Sequence, residues 1–315
     1  MKKTLLVFLA LAISLSLIAC GTDNGTGSES KTPETSASSE NSASSDVSNG
    51  AETSKEAEGD DIFSKFDLNV SEEGTAVTMS GTSFECDGVK SEKVFNIKSE
   101  GTYVFSGEMT NGQIVVEVDK TEKVRIVLKN ASIHCGDSAP IWVRSADKVS
   151  VTLAEGSVNK LTDGGKYTYD NADEEPNACL FSTDDLTVNG SGTLTVTTKA
   201  NNGICSKDDL KVVGATLVIS AKNNGIKGND SVTVRGGKIT ISQCDDGIKT
   251  TNEKDDDKGY IYIENGDITI HSSDDALQAT RNITIVSGIV NAYAKGDAVN
   301  CDGTVDIANG TLNTK

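Results

Sequence analysis

One short string returns along the chain at a near-fixed interval: "ANNGICS", "KNNGIKG", "QCDDGIKT", "SDDALQA" and "KGDAVNC". Aligned on the small residue before the aliphatic, the copies fall at Gly203, Gly225, Gly247, Ala276 and Ala298, at intervals of 22, 22, 29 and 22 residues. The long interval holds an insertion, "TNEKDDDKG" (251–259). Between copies run "VTVRGGKITI", "IYIENGDITI", "ITIVSGIVNA" and "VDIANGTLNT". Their period-two alternation of Val, Ile and Thr is that of strands, and the G-G, N-G and S-G steps supply the positive φ of sharp turns. A repeat of this length builds stacked coils. A leucine-rich repeat needs L-x-x-L-x-L and a helical leg, and a propeller needs about 40 residues per blade. Neither fits. The repeat predicts an all-β, three-faced parallel β-helix of about 22 residues per coil, with aliphatics in the bore and backbone pairing between coils.

Stacking turns sequence positions into columns. Two residues before the buried aliphatic lie Asn202, Asn224, Asp246, Asp275 and Asp297, and one residue earlier lie Asn177, Asn201, Asn223, Asp245 and Asp274. Neighbouring coils are about 4.8 Å apart, so each side chain faces its equivalent at that distance. Stacked asparagines can donate to one another. Stacked aspartates repel, by about 1 kcal/mol in water and several-fold more near a protein surface. A calcium ion, with oxygen ligands at about 2.3–2.6 Å, reaches both coils from midway. Oxygen donors without His or Cys point to calcium rather than a transition metal. Asn224, Asp245, Asp246, Asp274, Asp275 and Asp297 are therefore the candidate ligands. The alternative is that these residues only form side-chain-to-backbone turns. A further column, Asp147, Asp184, Asp208 and Asp230, ends at Arg281 and reads more simply as turn formers.

On the face just past the aliphatic lie Trp142, Phe181, Cys205, Lys227, Lys249, Gln278 and Asn300. Lys227 and Lys249 either neutralise the acidic corner or contact an anionic ligand. Tyr167 and Tyr169, in the loop 164–177, and Tyr260 are candidates to stack on sugar rings, or else pack ordinarily.

The N-terminus reads separately. Lys2 and Lys3 precede the apolar run "LLVFLALAISLSLIA", which ends in Leu17-Ile18-Ala19-Cys20. This is an export signal (1–20) with a lipobox, where Cys20 takes the lipid and anchors the chain to the membrane. Residues 21–61, almost all Gly, Ser, Thr, Asn, Ala, Asp and Glu, cannot bury enough apolar surface to order and read as a disordered tether. The expected location is the outer face of the bacterial cell membrane. Residues 62–315 form the β-helix, with the out-of-register 62–107 as its N-terminal cap. The sequence stops at "GTLNTK", partway through a coil, which predicts an incomplete end or one covered by something else. Cys86, Cys135, Cys179, Cys205, Cys244 and Cys301 show neither C-x-x-C nor zinc spacing and read as buried free thiols, Cys86–Cys135 being the disulfide to check first. The net charge of −18 argues against nucleic acid as a partner.

"GTYVFSGEMTNGQIVVEV", "SAPIWVRSADKVSVTLAEGSVNKLTDG", "EPNACLFSTDDLTVNGSGTLTV" and "DDGIKTTNEKDDDKGYIYIENGDITI" resemble the carbohydrate-binding domain-containing proteins of clostridia and their relatives. The resemblance runs from about residue 62 to the end. It implies a right-handed parallel β-helix on the cell surface that binds plant-cell-wall polysaccharide, cellulose or polygalacturonate, with calcium sites like those of pectate lyases. The implied ligands fall on Asp245, Asp246, Asp274, Asp275 and Asp297, with Asn224 nearby. Family members commonly run further, which leaves room for missing coils. Three functions fit: a binding module, in which calcium bridges protein and uronate carboxylates; a polysaccharide lyase, which also needs a base; and a structural adhesin whose calcium only rigidifies the stack. Aromatic residues make up 4% of the chain, too few for a broad platform for neutral cellulose, which favours a pectin-like ligand.

Overall fold

The structure, a computed structural model, describes residues 62–168 and 176–315. The export signal, Cys20, the tether and Tyr169 lie outside the described residues. The period-two segments form the parallel β-helix that the repeat predicts. Its first face is a 9-stranded parallel sheet that begins at Val94–Ile97 and runs through Asn202–Ser206, Ile226–Gly228, Ile248–Thr250 and Leu277–Ala279 to Val299–Cys301. The other two faces form one 17-stranded sheet, because strands such as Ser231–Gln243 and Tyr260–Ser272 bend around a corner while staying paired. Gly237 makes that bend possible: its φ is +90, and a Cβ there would lie 2.3 Å from the Ala215 carbonyl oxygen.

Register stacks like on like. Ile204, Ile226, Ile248 and Leu277 pair in sequence along the first face. Val212, Val234, Ile263 and Ile285 do so on the second, and Leu217, Ile239, Ile268 and Val290 on the third. All are fully buried, each contributing about 1.5–3 kcal/mol of hydrophobic stabilisation. The small residue before the first-face aliphatic is required by crowding. A Cβ on Gly247 would sit 2.4 Å from both the Ala276 carbonyl oxygen and Ile270 Cγ2. At the N-terminal end the strands Thr75–Gly81, Ser83–Cys86 and Val89–Glu92 supply the two antiparallel pairings. Phe84, Phe95 and Phe105 cluster there with ring centroids 5.4–6.4 Å apart. At the opposite end Val305 and Ile307 are exposed.

Within the stretch 62–107 expected to cap the N-terminal end, residues 62–70 take another course. Lys65–Leu68 is one helical turn, capped by Ser64 and Asp67 in a capping box, and it lies across the outside of the second face. Asp67 is fully buried there. Its carboxylate accepts from Thr187 Oγ1 (2.6 Å) and from Ser64 N and Oγ (2.8 Å each), and lies 3.4 Å from Lys211 Nζ and 3.5 Å from Lys148 Nζ. Arg125 donates to the carbonyls of Asn69 and Phe66, Lys211 to that of Ile62, and Asn189 to that of Asp67. The Arg125 guanidinium also sits 4.8 Å from the Phe66 ring centroid and that of Arg235 4.2 Å from Phe63. The segment is a strap that crosses several coils and ties them together. All six cysteines among the described residues are free thiols, and Cys86–Cys135 is not bridged. Burial pushes Cys205 and Cys244 up to about 12, so these thiols stay protonated.

Candidate metal centre at the acidic corner

The corner before the first-face strands carries the Asn and Asp columns. In the inner column the asparagines form a ladder: Asn202 Nδ2 donates to the Asn177 carbonyl (2.8 Å) and Asn224 Nδ2 to Asn202 Oδ1 (2.8 Å). The next rung is an aspartate, and the ladder breaks. Asn224 Oδ1 is buried and has no hydrogen-bond partner among the described residues. Beyond it each aspartate turns one oxygen to the backbone: Asp246 Oδ1 accepts from Asp275 N (3.1 Å), and Asp275 Oδ1 from Asp297 N (2.7 Å). The other oxygens accept from Lys249 Nζ and from Asn300 Nδ2, at 2.8 and 2.7 Å. The turn-forming role and the charge cluster therefore coexist at this corner.

Asp246, Asp274 and Asp275 present carboxylate oxygens that all lie within 4.8 Å of one another. Asp246 and Asp275 are buried, whereas Asp274 is exposed and its carboxylate accepts no hydrogen bond among the described residues. The charges of Asp275 and Asp246 raise the Asp274 carboxyl above its ordinary value. The group is all oxygen, contains no His or Cys, and adjoins the unsatisfied Asn224 oxygen. Such a donor set suits a hard divalent cation. Asp245 and Asp297 stand outside this group: both are exposed, and Asp245 accepts from Ser273 Oγ at 3.0 Å.

The lysines part company. Lys249 is paired with Asp246, whereas Lys227 makes no ion pair among the described residues and lines a shallow hollow with Cys205, Lys207, Asn229 and Thr251. Tyr167 is a correction to the sugar-stacking expectation. It is 9% exposed and donates its hydroxyl to Asp163 Oδ2 at 2.8 Å. Burial, with Cys179 and Asp163 beside it, holds its phenol well above the ordinary value. It packs with Ala139, Ala178, Phe181 and Cys205 instead of facing solvent.

The other aspartate column is neutralised unevenly. Asp184 pairs with Lys120, and Asp230 pairs with Lys258 (2.8 Å) and accepts from Asn252 (2.7 Å). Asp208, between them, makes no ion pair among the described residues, and the more distant Lys120 offsets its surroundings only in part. Burial and the charges of Asp230, Asp185 and Asp184 push its carboxyl up to about 6 from 3.8. A folded value above the unfolded one means that ionised Asp208 opposes folding at pH 7, an effect that fades as the pH falls through 6 and is gone below 3.8. Asp208→Asn is expected to stabilise the protein by about 1 kcal/mol at pH 7, after allowance for solvent screening at a half-exposed site. Thermal melts should show this gain shrinking at pH 5, and an equal gain at both pH values would contradict the assignment.

With this geometry in view, the relatives can be placed. Residues 91–315 match the family described as carbohydrate-binding domain-containing protein. The chain belongs to that family. The matched span includes the whole acidic corner and excludes the strap. A carbohydrate-binding domain-containing protein of Acetivibrio thermocellus is 43% identical over 137 residues, 43% of this chain and 48% of the relative. The chain thus matches about half the length of that curated relative. The fold also matches the structure of the polysaccharide lyase-like protein from C. thermocellum, a gadolinium derivative, with a TM-score of 0.73 and 38% identity over 77% of this chain and 100% of that one.

Proposed function

We propose that this family member binds acidic plant-cell-wall polysaccharide, with calcium at the corner formed by Asp246, Asp274 and Asp275, and that a lipid on Cys20 holds it at the outer face of the cell membrane. The carrying observation is the three-carboxylate cluster in a chain of a carbohydrate-binding family. A bound divalent cation supplies the positive charge through which an acidic protein can hold an acidic polymer. Asp246 and Asp275 fix the donor oxygens through their backbone hydrogen bonds, and Asp274 leaves its carboxylate open to solvent. Lys227, unpaired on the adjoining face, adds a direct contact for a uronate carboxylate.

The likeness to a protein described as polysaccharide lyase-like favours a second reading, a lyase. Its candidate bases are Lys227, Lys249 and Arg281, and of these Lys227 makes no ion pair among the described residues. Lys249 is engaged by Asp246, and the Arg281 guanidinium donates to Asp256 and the Glu253 carbonyl (3.1 Å each). Co-sedimentation with polygalacturonate and with cellulose, with calcium or with chelator, tests the main reading. Calcium-dependent retention on polygalacturonate is expected, lost in Asp246→Asn/Asp275→Asn. Absence of binding to either polymer would sink it, and ultraviolet absorbance from unsaturated uronate product would move the protein to the lyases.

A further inference from the structure

On the other side of the acidic corner, an open groove of about 930 Å³ runs along the stack across successive coils. Lys222, Gln243, His271, Ser273, Tyr293 and Lys295 line it, and small residues, Ala221 and Ala294 among them, leave it depth. His271 and Tyr293 are register partners on adjacent strands, and their rings stack with centroids 4.7 Å apart and planes 16° apart. Each ring is held by the other, so this aromatic wall is ordered before any ligand arrives and little rotamer freedom remains to be lost on binding. Lys222 and Lys295 are exposed, and neither makes an ion pair among the described residues. Three coil steps separate them, roughly 14 Å along the stack. Ser273 Oγ joins the groove to the acidic corner through its hydrogen bonds to Asp245 Oδ1 (3.0 Å) and the Cys244 carbonyl (2.9 Å).

We infer that this groove is the seat of an acidic polysaccharide, which lies lengthwise along the coils with its sugars against the His271–Tyr293 wall and its carboxylates paired with Lys222 and Lys295. The inference rests on the reading that the chain binds an acidic polysaccharide and adds to it the groove that seats the polymer. Three observations carry it together. The groove has the length of several coils, where a polymer fits better than a single small molecule. It presents an aromatic surface beside amide and hydroxyl groups, the combination that serves a ring with an apolar face and polar edges. It offers the exposed cations Lys222 and Lys295, neither ion-paired among the described residues, in a chain of net charge −18, which favours an anion.

The test uses the full chain and two variants, Lys222→Gln/Lys295→Gln and Tyr293→Ala, with polygalacturonate and a neutral cello-oligosaccharide as probes in affinity electrophoresis. The lysine variant is expected to weaken polygalacturonate binding about tenfold while leaving any neutral binding unchanged, and Tyr293→Ala to weaken it by a similar factor. Because the lysines are exposed and support no fold contact, that variant stays informative even if Tyr293→Ala lowers the melting temperature. Unchanged affinity in the lysine variant, with the parent chain still binding, overturns the groove and leaves the polysaccharide reading intact. Equal loss for charged and neutral probes overturns the charge class, and no binding by the parent chain overturns both readings.

Discussion

Replacing Asp67 with alanine is expected to destabilise the β-helix by about 3 kcal/mol, the cost of leaving the buried Lys211 without its counter-charge, while Lys148 keeps Asp185 at 3.3 Å. Asp67 is the fully buried anion of the strap, and Lys148 and Lys211 both approach it. Burial opposes its ionisation, but the Thr187 hydrogen bond and the charges of Lys211 and Lys148 outweigh that and hold the carboxyl below its ordinary value. The sign follows. A depressed folded value gives stability that is fully present above 3.8 and lost as the pH falls through the lowered value. The gap between parent and variant should therefore be constant from pH 8 to about pH 5 and narrow only in stronger acid. Thermal or urea melts across that range measure it. A loss under about 1 kcal/mol at neutral pH would mean that the strap is decoration.

Calcium is expected to have the second large effect. An ion that binds only the folded state adds about 2.7 kcal/mol at a free concentration 100 times its dissociation constant. The melting temperature should rise with calcium and fall back with chelator. In Asp246→Asn/Asp275→Asn the response should vanish. Asp274→Asn, measured in chelator, should be no less stable than the parent, because the charges of Asp275 and Asp246 already press on that carboxylate. A melting temperature indifferent to calcium in the parent chain would remove the ion from the account.

The parts of the molecule that were legible in the sequence are those written into its period. The rows Ile204–Ile226–Ile248–Leu277 and Asn202–Asn224–Asp246–Asp275 follow from one spacing, because in a solenoid each coil touches only its neighbours. Contacts outside that period were not legible. Lys211 reaches the Ile62 carbonyl across 149 residues, and no repeat encodes such a pairing. The Ser64-Lys65-Phe66-Asp67 string did carry a capping-box signal for the strap's helical turn, though nothing in it names the cations it meets. Outward-facing positions are also weakly constrained by stacking. His271 and Tyr293 stand one 22-residue step apart and so fall in register, but the period does not dictate that two rings occupy those outward positions, and Tyr167 turns inward because Asp163 lies within reach of its hydroxyl. Likewise the columns gave six candidate ligands, of which Asp246, Asp274 and Asp275 bring carboxylate oxygens within 4.8 Å of one another while Asp245 and Asp297 are exposed outside that group, a distinction that spacing alone does not make.

Calorimetric titration of calcium into the parent chain and into Asp275→Asn tests the central claim most directly. Three carboxylates brought within 4.8 Å by stacked coils should give saturable binding to the parent chain and a loss of at least tenfold in affinity when Asp275 becomes neutral. No saturable heat in the parent, or the same affinity in the variant, would contradict a cation held at this corner.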